Sequence, residues 1–269
     1  MIYNTGETSE ELKEKYNPEG SVLRKSQMRI MDMLLYIDEV CKKLNINYRL
    51  DGGNVLGAVR HGGFIPWDDD MDICMQRDDW KKLVIYMKNH PHPQFVIQDH
   101  QTDSGYYGSW AILRDLKSEY IIDSDVHNAL HYRGLQVDIF PFERGNSVFL
   151  QNLAFRLTII NRLNFVLKRP ILAESLYKLR FCFIYPLFRL ITKVFLSRRN
   201  YFMHSYGAGW RIKFPISVCL PHKPISFEGH EFPGPANPNE LLRIIYKNYM
   251  ELPPVDKRDH HKAQLKIWD

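Results

Sequence analysis

Between Arg49 and Arg77 the chain reads RLDGGNVLGAVRHGGFIPWDDDMDICMQR, with Asp68, Asp69, Asp70 and Asp72 crowded behind two glycine pairs and a Pro-Trp step. Carboxylates in an apolar setting are costly unless something cationic neutralises them. A further acid, Asp138, interrupts an apolar run in GLQVDIFPFE (Gly134–Glu143) and needs a partner for the same reason. Mg²⁺ prefers hard oxygen ligands and takes a few carboxylates, with phosphate and water filling the rest of its shell. Two such ions clamp the attacking and leaving oxygens of a displacement at phosphorus. The acids therefore point to a metal-phosphate site, with Asp70, Asp72 and Asp138 as candidate metal ligands and catalytic residues.

The elements that must position them follow from local pattern. Asp70–Met75 predicts a strand with Asp70 and Asp72 on one face and Met71 and Ile73 on the other. Gly134–Glu143 predicts a second, ended by Pro141. Gly52 and Gly53 predict a turn out of a short strand at Tyr48–Leu50, and Asn54–Arg60 a short helix. The free N–H groups at its start suit a phosphate. Leu56-Gly57-Ala58 offers another close backbone approach, with 11 residues between it and Asp70. Gly52, Gly53 and Gly57 are thus candidate phosphate contacts. Arg60 and Arg114 join them, because a guanidinium fork matches phosphate oxygens.

Each feature has a plainer reading. The glycines serve ordinary turns and the arginines ordinary surface. Asp68, Asp70 and Asp72 imitate the start of a calcium loop, yet the sixth position is Ile73 rather than Gly and the twelfth Asp79 rather than Glu. Trp67 is either core packing or a platform for a base or a quaternary ammonium. His260 and His261 belong either to a solvated tail or to the site. Cys219, His222 and His230 lack an obvious fourth ligand for zinc.

Around this span the chain is ordinary in bulk: 269 residues, 45% hydrophobic and 25% charged, enough for one large domain or two small ones. Four cysteines without paired spacing fit a reduced protein better than a disulfide scaffold. The N-terminus is acidic and polar, unlike a signal peptide, and no apolar run is long enough to span a bilayer. Ile30, Leu34, Ile37, Cys41 and Leu44 mark one stripe of a helix over Ser21–Leu44. Asp78 is placed to cap the next helix, ending before Pro91. Strands are expected at Phe95–Gln98, Trp110–Arg114 and Glu119–Asp123. From Phe149 to Met203 the pattern is helical, apolar and basic. Leu150–Pro215 holds twelve Lys/Arg against Glu174 alone, a surplus of +11 in a chain of net charge +5. Interleaved aromatics, aliphatics and cations suit helices lying on an anionic membrane surface. A cover for the core or a contact to a second subunit is the alternative. Nucleic acid fits poorly, since the rest of the chain is acidic and carries no binding motif.

The order of a glycine step, an Asp-x-Asp strand and a later lone acid resembles the nucleotidyltransferase-fold pattern. The whole of DGGNVLGAVRHGGFIPWDDDMDICMQRDDW, with Ala111–Asp115, Gly134–Glu143 and FEGHEFPGPANPNELLRIIYKNYMELPP, resembles the LicD family of cholinephosphotransferase-like proteins and, more distantly, the fukutin-related enzymes. The resemblance implies an α+β nucleotidyltransferase-like core, a mixed sheet flanked by helices, spanning residues 1–148. A helical basic insert at 149–206 and a C-terminal segment at 207–269 completing the catalytic part would follow. It also implies Mg²⁺-dependent (or Mn²⁺-dependent) transfer of a phospho-alcohol group from a CDP-activated donor, CDP-choline by default. The acceptor would be a sugar hydroxyl of a glycan or lipid-linked glycan, with CMP released. In that reading Asp70 and Asp72 hold metal and Asp138 is the third acid. The sequence departs from the family at Asn54, Ser118 and Lys247, where Thr or Ser, Thr, and Gly are usual; the first two, expected near the donor site, leave the donor's alcohol open. Transfer of a nucleotidyl group on the same fold and a non-catalytic calcium- or membrane-binding module are the alternatives. A peripheral position at the cytoplasmic face of a membrane, with oligomerisation possible, completes the expectation.

Overall fold

A computed structural model describes residues 3–196, 198–258 and 264–268. The chain enters through α1 (Ser9–Tyr16) and α2 (Val22–Leu44). Ser21 caps α2 by accepting from the Arg24 N–H, and Asn45 ends it in the left-handed region at φ 50°. Ile30, Leu34, Ile37 and Cys41 are buried along one face, as their spacing predicts. Then come β1 (Tyr48–Leu50), α3 (Gly52–His61), β2 (Asp72–Gln76), α4 (Arg77–Asn89), β3 (Phe95–Gln98) and β4 (Ala111–Asp115). β5 (Ser118–Ile121), the single turn α5 (Asp125–Asn128) and β6 (Gln136–Arg144) follow. Three long helical segments come next: α6 (Val148–Val166), α7 (Pro170–Leu179) and, after a π-helical turn at Arg180–Ile184, α8 (Tyr185–Phe195). The chain closes with β7 (Tyr201–His204), β8 (Phe214–Pro215), α9 (Ile216–Cys219), β9 (Lys223–Phe227), β10 (His230–Gly234), α10 (Pro238–Tyr246) and β11 (Gln264–Ile267).

Seven strands form one mixed sheet, ordered β1-β2-β6-β4-β3, with β7 beside β6 and β8 beside β7. Only β2 and β6 run parallel; the other pairs are antiparallel. β6 lies at the centre and is buried from Val137 to Phe142, which explains an apolar run broken by Asp138 alone. Pro141 does not end this strand. It falls where β6 exchanges one neighbour for another: β4 pairs as far as Ile139 and β7 takes over at Phe142. A residue without an N–H is tolerated at that gap in the ladder. Helices α2, α3, α4 and α10 contribute to the large apolar core on the sheet, while Ala154, Tyr185, Phe188 and Tyr206 form a small separate cluster under the insert.

Several expected boundaries shift. The β2 strand starts at Asp72 rather than Asp70, because β6 pairs with it only from Asp72 onward. Helix α4 begins at Arg77 with Gln76 as its cap, so Asp78 lies inside the first turn and its charge favours that helix end without capping it. Strand β5 joins no part of the main sheet; it pairs with β11, giving the C-terminal tail an ordered place.

Candidate active site

Asp72, the first residue of β2, stands opposite Asp138 of β6 in the parallel register. Registered neighbours in a sheet project to one face, so the two acids that the sequence offers from distant segments are brought side by side. The start of α3 is tied to the same point. The Asp72 N–H donates to Asn54 Oδ1 at 2.6 Å, and the Asp51 N–H donates to the Asp72 carbonyl at 3.0 Å. Asp138 is fixed from two sides: Trp110 Nε1 donates to its Oδ1 at 2.8 Å and Gln136 Nε2 to its Oδ2 at 3.2 Å.

Asp70 precedes the strand, so it does not share a regular strand face with Asp72, but it lines the same cavity, as does Asp68. This cavity holds about 390 Å³. Burial, then the charges of Asp70, Asp138, Asp51 and Asp68, hold the Asp72 carboxyl well above its ordinary range. Burial opposes ionisation of Asp51 too, but Arg49 and His204 outweigh it and keep that carboxyl below its ordinary range. Arg49 Nη1 donates to Asp51 Oδ1 at 2.9 Å, and His204 Nε2 lies 3.2 Å from Asp51 Oδ2. Asp69 is turned elsewhere and accepts from the Tyr120 hydroxyl at 3.1 Å.

The glycine pair is part of α3, not a turn before it. Gly52 has φ +49°, and a Cβ there would come 3.3 Å from Asp72 Oδ2. On Gly53 it would come 3.2 Å from Asp68 Oδ2. The two glycines let a helix N-terminus open directly onto the carboxylates. Asp51 does not cap that end with its side chain, which is engaged by Arg49 and His204 instead. Gly57, by contrast, lies within α3 rather than in a turn and away from the cavity: a Cβ would stand 2.3 Å from the Gly63 carbonyl oxygen. Its smallness serves the packing of α3 against the loop that leaves it.

The two arginines also lie outside the cavity. Arg60 donates to the Tyr249 and Glu251 carbonyls at 2.9 and 3.2 Å and to His61 Nε2, holding the C-terminal segment on α3. Arg114 is buried and donates to Gln98 Oε1, the Gly134 carbonyl and Gln136 Oε1. Through Gln136 it braces Asp138. Trp67 is 6% exposed, edge-on to Tyr16 and His61 and under Arg258, so it packs the core. His260 and His261 lie outside the described residues.

Four side chains that local pattern could not single out complete the walls: His204, Trp210, Phe214 and Tyr246. His204 packs among Phe140, Phe142 and Trp210, and its Nδ1 is buried without a hydrogen-bond partner. Burial, then Asp72 and its neighbouring acids, push the Tyr246 phenol up, so it keeps its proton facing the carboxylates. The Asp51 of the DGG step was in plain view, but only its pairing with Arg49 and His204 sets it apart from the other acids.

The donor set suits a hard divalent cation: Asp68, Asp70 and Asp72 line one cavity, Asp138 stands in register beside Asp72, and Asp72 is under repulsion that a cation would relieve. Among the described residues no three His, Cys, Asp or Glu side chains are closed together tightly enough to hold an ion as they stand. Like charges stay apart without a cation between them. The segment is a strand between α3 and α4, not a helix–loop–helix calcium site.

A mixed sheet whose central strands pair two aspartates beside a glycine-started helix defines a nucleotidyltransferase-like domain. The family described as "LicD/FKTN/FKRP, nucleotidyltransferase domain" matches residues 45–184, just over half the chain, and the chain belongs to that family. The lipopolysaccharide cholinephosphotransferase LicD of Haemophilus influenzae is 27% identical over 91% of this chain and 98% of its own length. The ribitol 5-phosphate transferase FKRP of Homo sapiens is 43% identical over 44% of this chain and 21% of its own length. The mouse protein of the same name matches equally.

Proposed function

We propose that the chain transfers a phospho-alcohol group from a CDP-activated donor, CDP-choline by default, to a sugar hydroxyl of a glycan or its lipid-linked precursor, releasing CMP. The observation that carries this reading is the registered Asp72–Asp138 pair with Asp70 at the mouth of α3. Two relatives whose names describe phosphocholine and ribitol-phosphate transfer support the reaction class. Asp70, Asp72 and Asp138 would hold Mg²⁺ or Mn²⁺, which supplies charge neutralisation at the phosphates. The opening turn of α3, with Gly52 and Gly53, receives phosphate oxygens on its N–H groups. Asp138, oriented by Trp110 and Gln136, aligns the acceptor hydroxyl and takes its proton. The hydroxyl oxygen forms a bond to the distal phosphorus as the bond to CMP breaks. Most of the rate then comes from positioning and charge stabilisation.

The test is CMP release from a panel of CDP-alcohols with Mg²⁺, with Asp70→Asn as the blank. One donor should yield CMP, and Asp138→Asn should slow it by about 10²-fold or more. An Asp138→Asn protein at full rate would remove that residue from the chemistry. Nucleotide found attached to the product, instead of free CMP, would replace the proposal with nucleotidyl transfer.

A further inference from the structure

The insert keeps a small apolar cluster inside and turns much of its apolar surface outward. On α6 the buried positions are Gln151, Ala154, Thr158, Asn161 and Asn164, whereas Phe149, Leu153, Ile160, Leu163 and, at the helix end, Leu167, spaced by three, four or seven residues, face solvent. The continuous helical run from Pro170 to Phe195 repeats this arrangement. Arg180 and Thr192 are buried with Ala173, Tyr185 and Phe188, while Phe183, Leu187, Leu190 and Val194 are exposed, Phe183 at 68%. The inner faces are held by polar contacts. Arg180 donates to Asn161 Oδ1 and Thr158 Oγ1, both at 2.8 Å, and Asn161 Nδ2 donates to the Ala173 carbonyl at 2.8 Å. A helix pair stabilised in water alone turns its apolar stripe inward. Here two stripes point outward, and Ile171 and Phe195 extend them at 83% and 77% exposure.

The charge on the same helices selects what covers them. Lys168, Arg169, Lys178 and Lys193 are exposed beside the stripes. Glu174, the one acid in Leu150–Pro215, pairs with Lys178 at 3.3 Å and faces His100 at 2.7 Å, so it offsets none of Lys168, Arg169 and Lys193. A second copy of this face would set two strongly positive surfaces against each other. Nucleic acid would meet the cations but leave the aliphatic stripes wet. A bilayer with anionic head groups satisfies both. We infer that α6 and the Pro170–Phe195 run form a docking face for an anionic lipid surface. The inner side of α6, opposite this face, is tied to the candidate site: Gln151 Nε2 donates to the carbonyls of Ser205 and Trp210, in the loop that walls the cavity. No described helix is long and apolar enough to cross a membrane, consistent with lying on the surface.

Docking does not depend on the reaction, so it is tested without turnover. The full chain is floated with vesicles of phosphatidylglycerol mixed into phosphatidylcholine, and with phosphatidylcholine alone. Binding should favour the anionic vesicles by at least about tenfold and fall as salt rises. Phe183→Glu/Leu187→Glu/Leu190→Glu should abolish it while circular dichroism and CMP release in detergent-free buffer persist. Lys178→Glu/Lys193→Glu should weaken it several-fold. Equal binding to both vesicle types, or none to either, overturns the inference. So does a dimer in sedimentation that the triple variant dissociates, which would make the face a subunit contact.

Discussion

At the scale of single residues, the site stores a repulsion that a bound cation or a proton would release. The folded state holds a proton on Asp72 at higher pH than the unfolded chain does, because burial and four neighbouring acids raise its carboxyl. Metal-free protein therefore loses stability as pH rises from the ordinary carboxylate range through that raised value. Thermal scans in chelator should show Tm falling across this window, Mg²⁺ should restore it, and Asp72→Asn should flatten the slope and raise Tm at pH 7 by a few degrees, on the order of 2–4 °C. A metal-free Asp72→Asn protein that melts lower at pH 7 contradicts this. The three acids were legible because carboxylates in apolar runs stand out against the cost of burying charge. His204 and Tyr246 were not, because nothing near them in the chain marks them; they matter only through contacts with Asp51 and Asp72 that folding creates.

At the scale of elements, most helices and strands were readable from apolar spacing and end signals, and the misreadings share a cause. The expected turn at Gly52–Gly53 became the first turn of α3, and the predicted strand end at Pro141 became the middle of β6. Both depend on which neighbour supplies or forgoes a hydrogen bond, information that local sequence lacks. One departure from the family pattern has a backbone explanation. Lys247, just after Tyr246, has φ +56° and ψ −97°, a region that a Cβ disfavours and that glycine enters freely. Lys247→Gly should stabilise the protein by about 1 kcal/mol in urea unfolding and leave CMP release unchanged. A loss of stability would show that Lys247 makes contacts that repay its strain.

At the scale of the whole molecule, composition disclosed a basic, greasy insert without disclosing which way it faces. Amphipathic spacing gives the period of a stripe but not the side that packs, so the sequence left open whether Leu163 and Leu187 cover the core or face outward, and the structure exposes both. The polar inner faces depend on one buried guanidinium. Arg180 reaches Asn161, Thr158 and the Tyr185 hydroxyl, and burial pushes its pKa down. Arg180→Met leaves those partners unmatched and should cost about 3 kcal/mol in urea unfolding. Limited proteolysis should then cut within residues 148–195 before it reaches the sheet. Unchanged proteolysis would mean that the insert is held chiefly by other contacts.

The pairing of Asp72 with Asp138 also makes turnover a clock. The two acids sit on parallel strands, and a slip of one residue would send Asp138 to the opposite face. A sheet cannot be half in register and half active. Long-range parallel pairing is among the slower steps of folding, so on refolding the return of turnover marks the moment β2 and β6 lock, even if helical signal has returned long before.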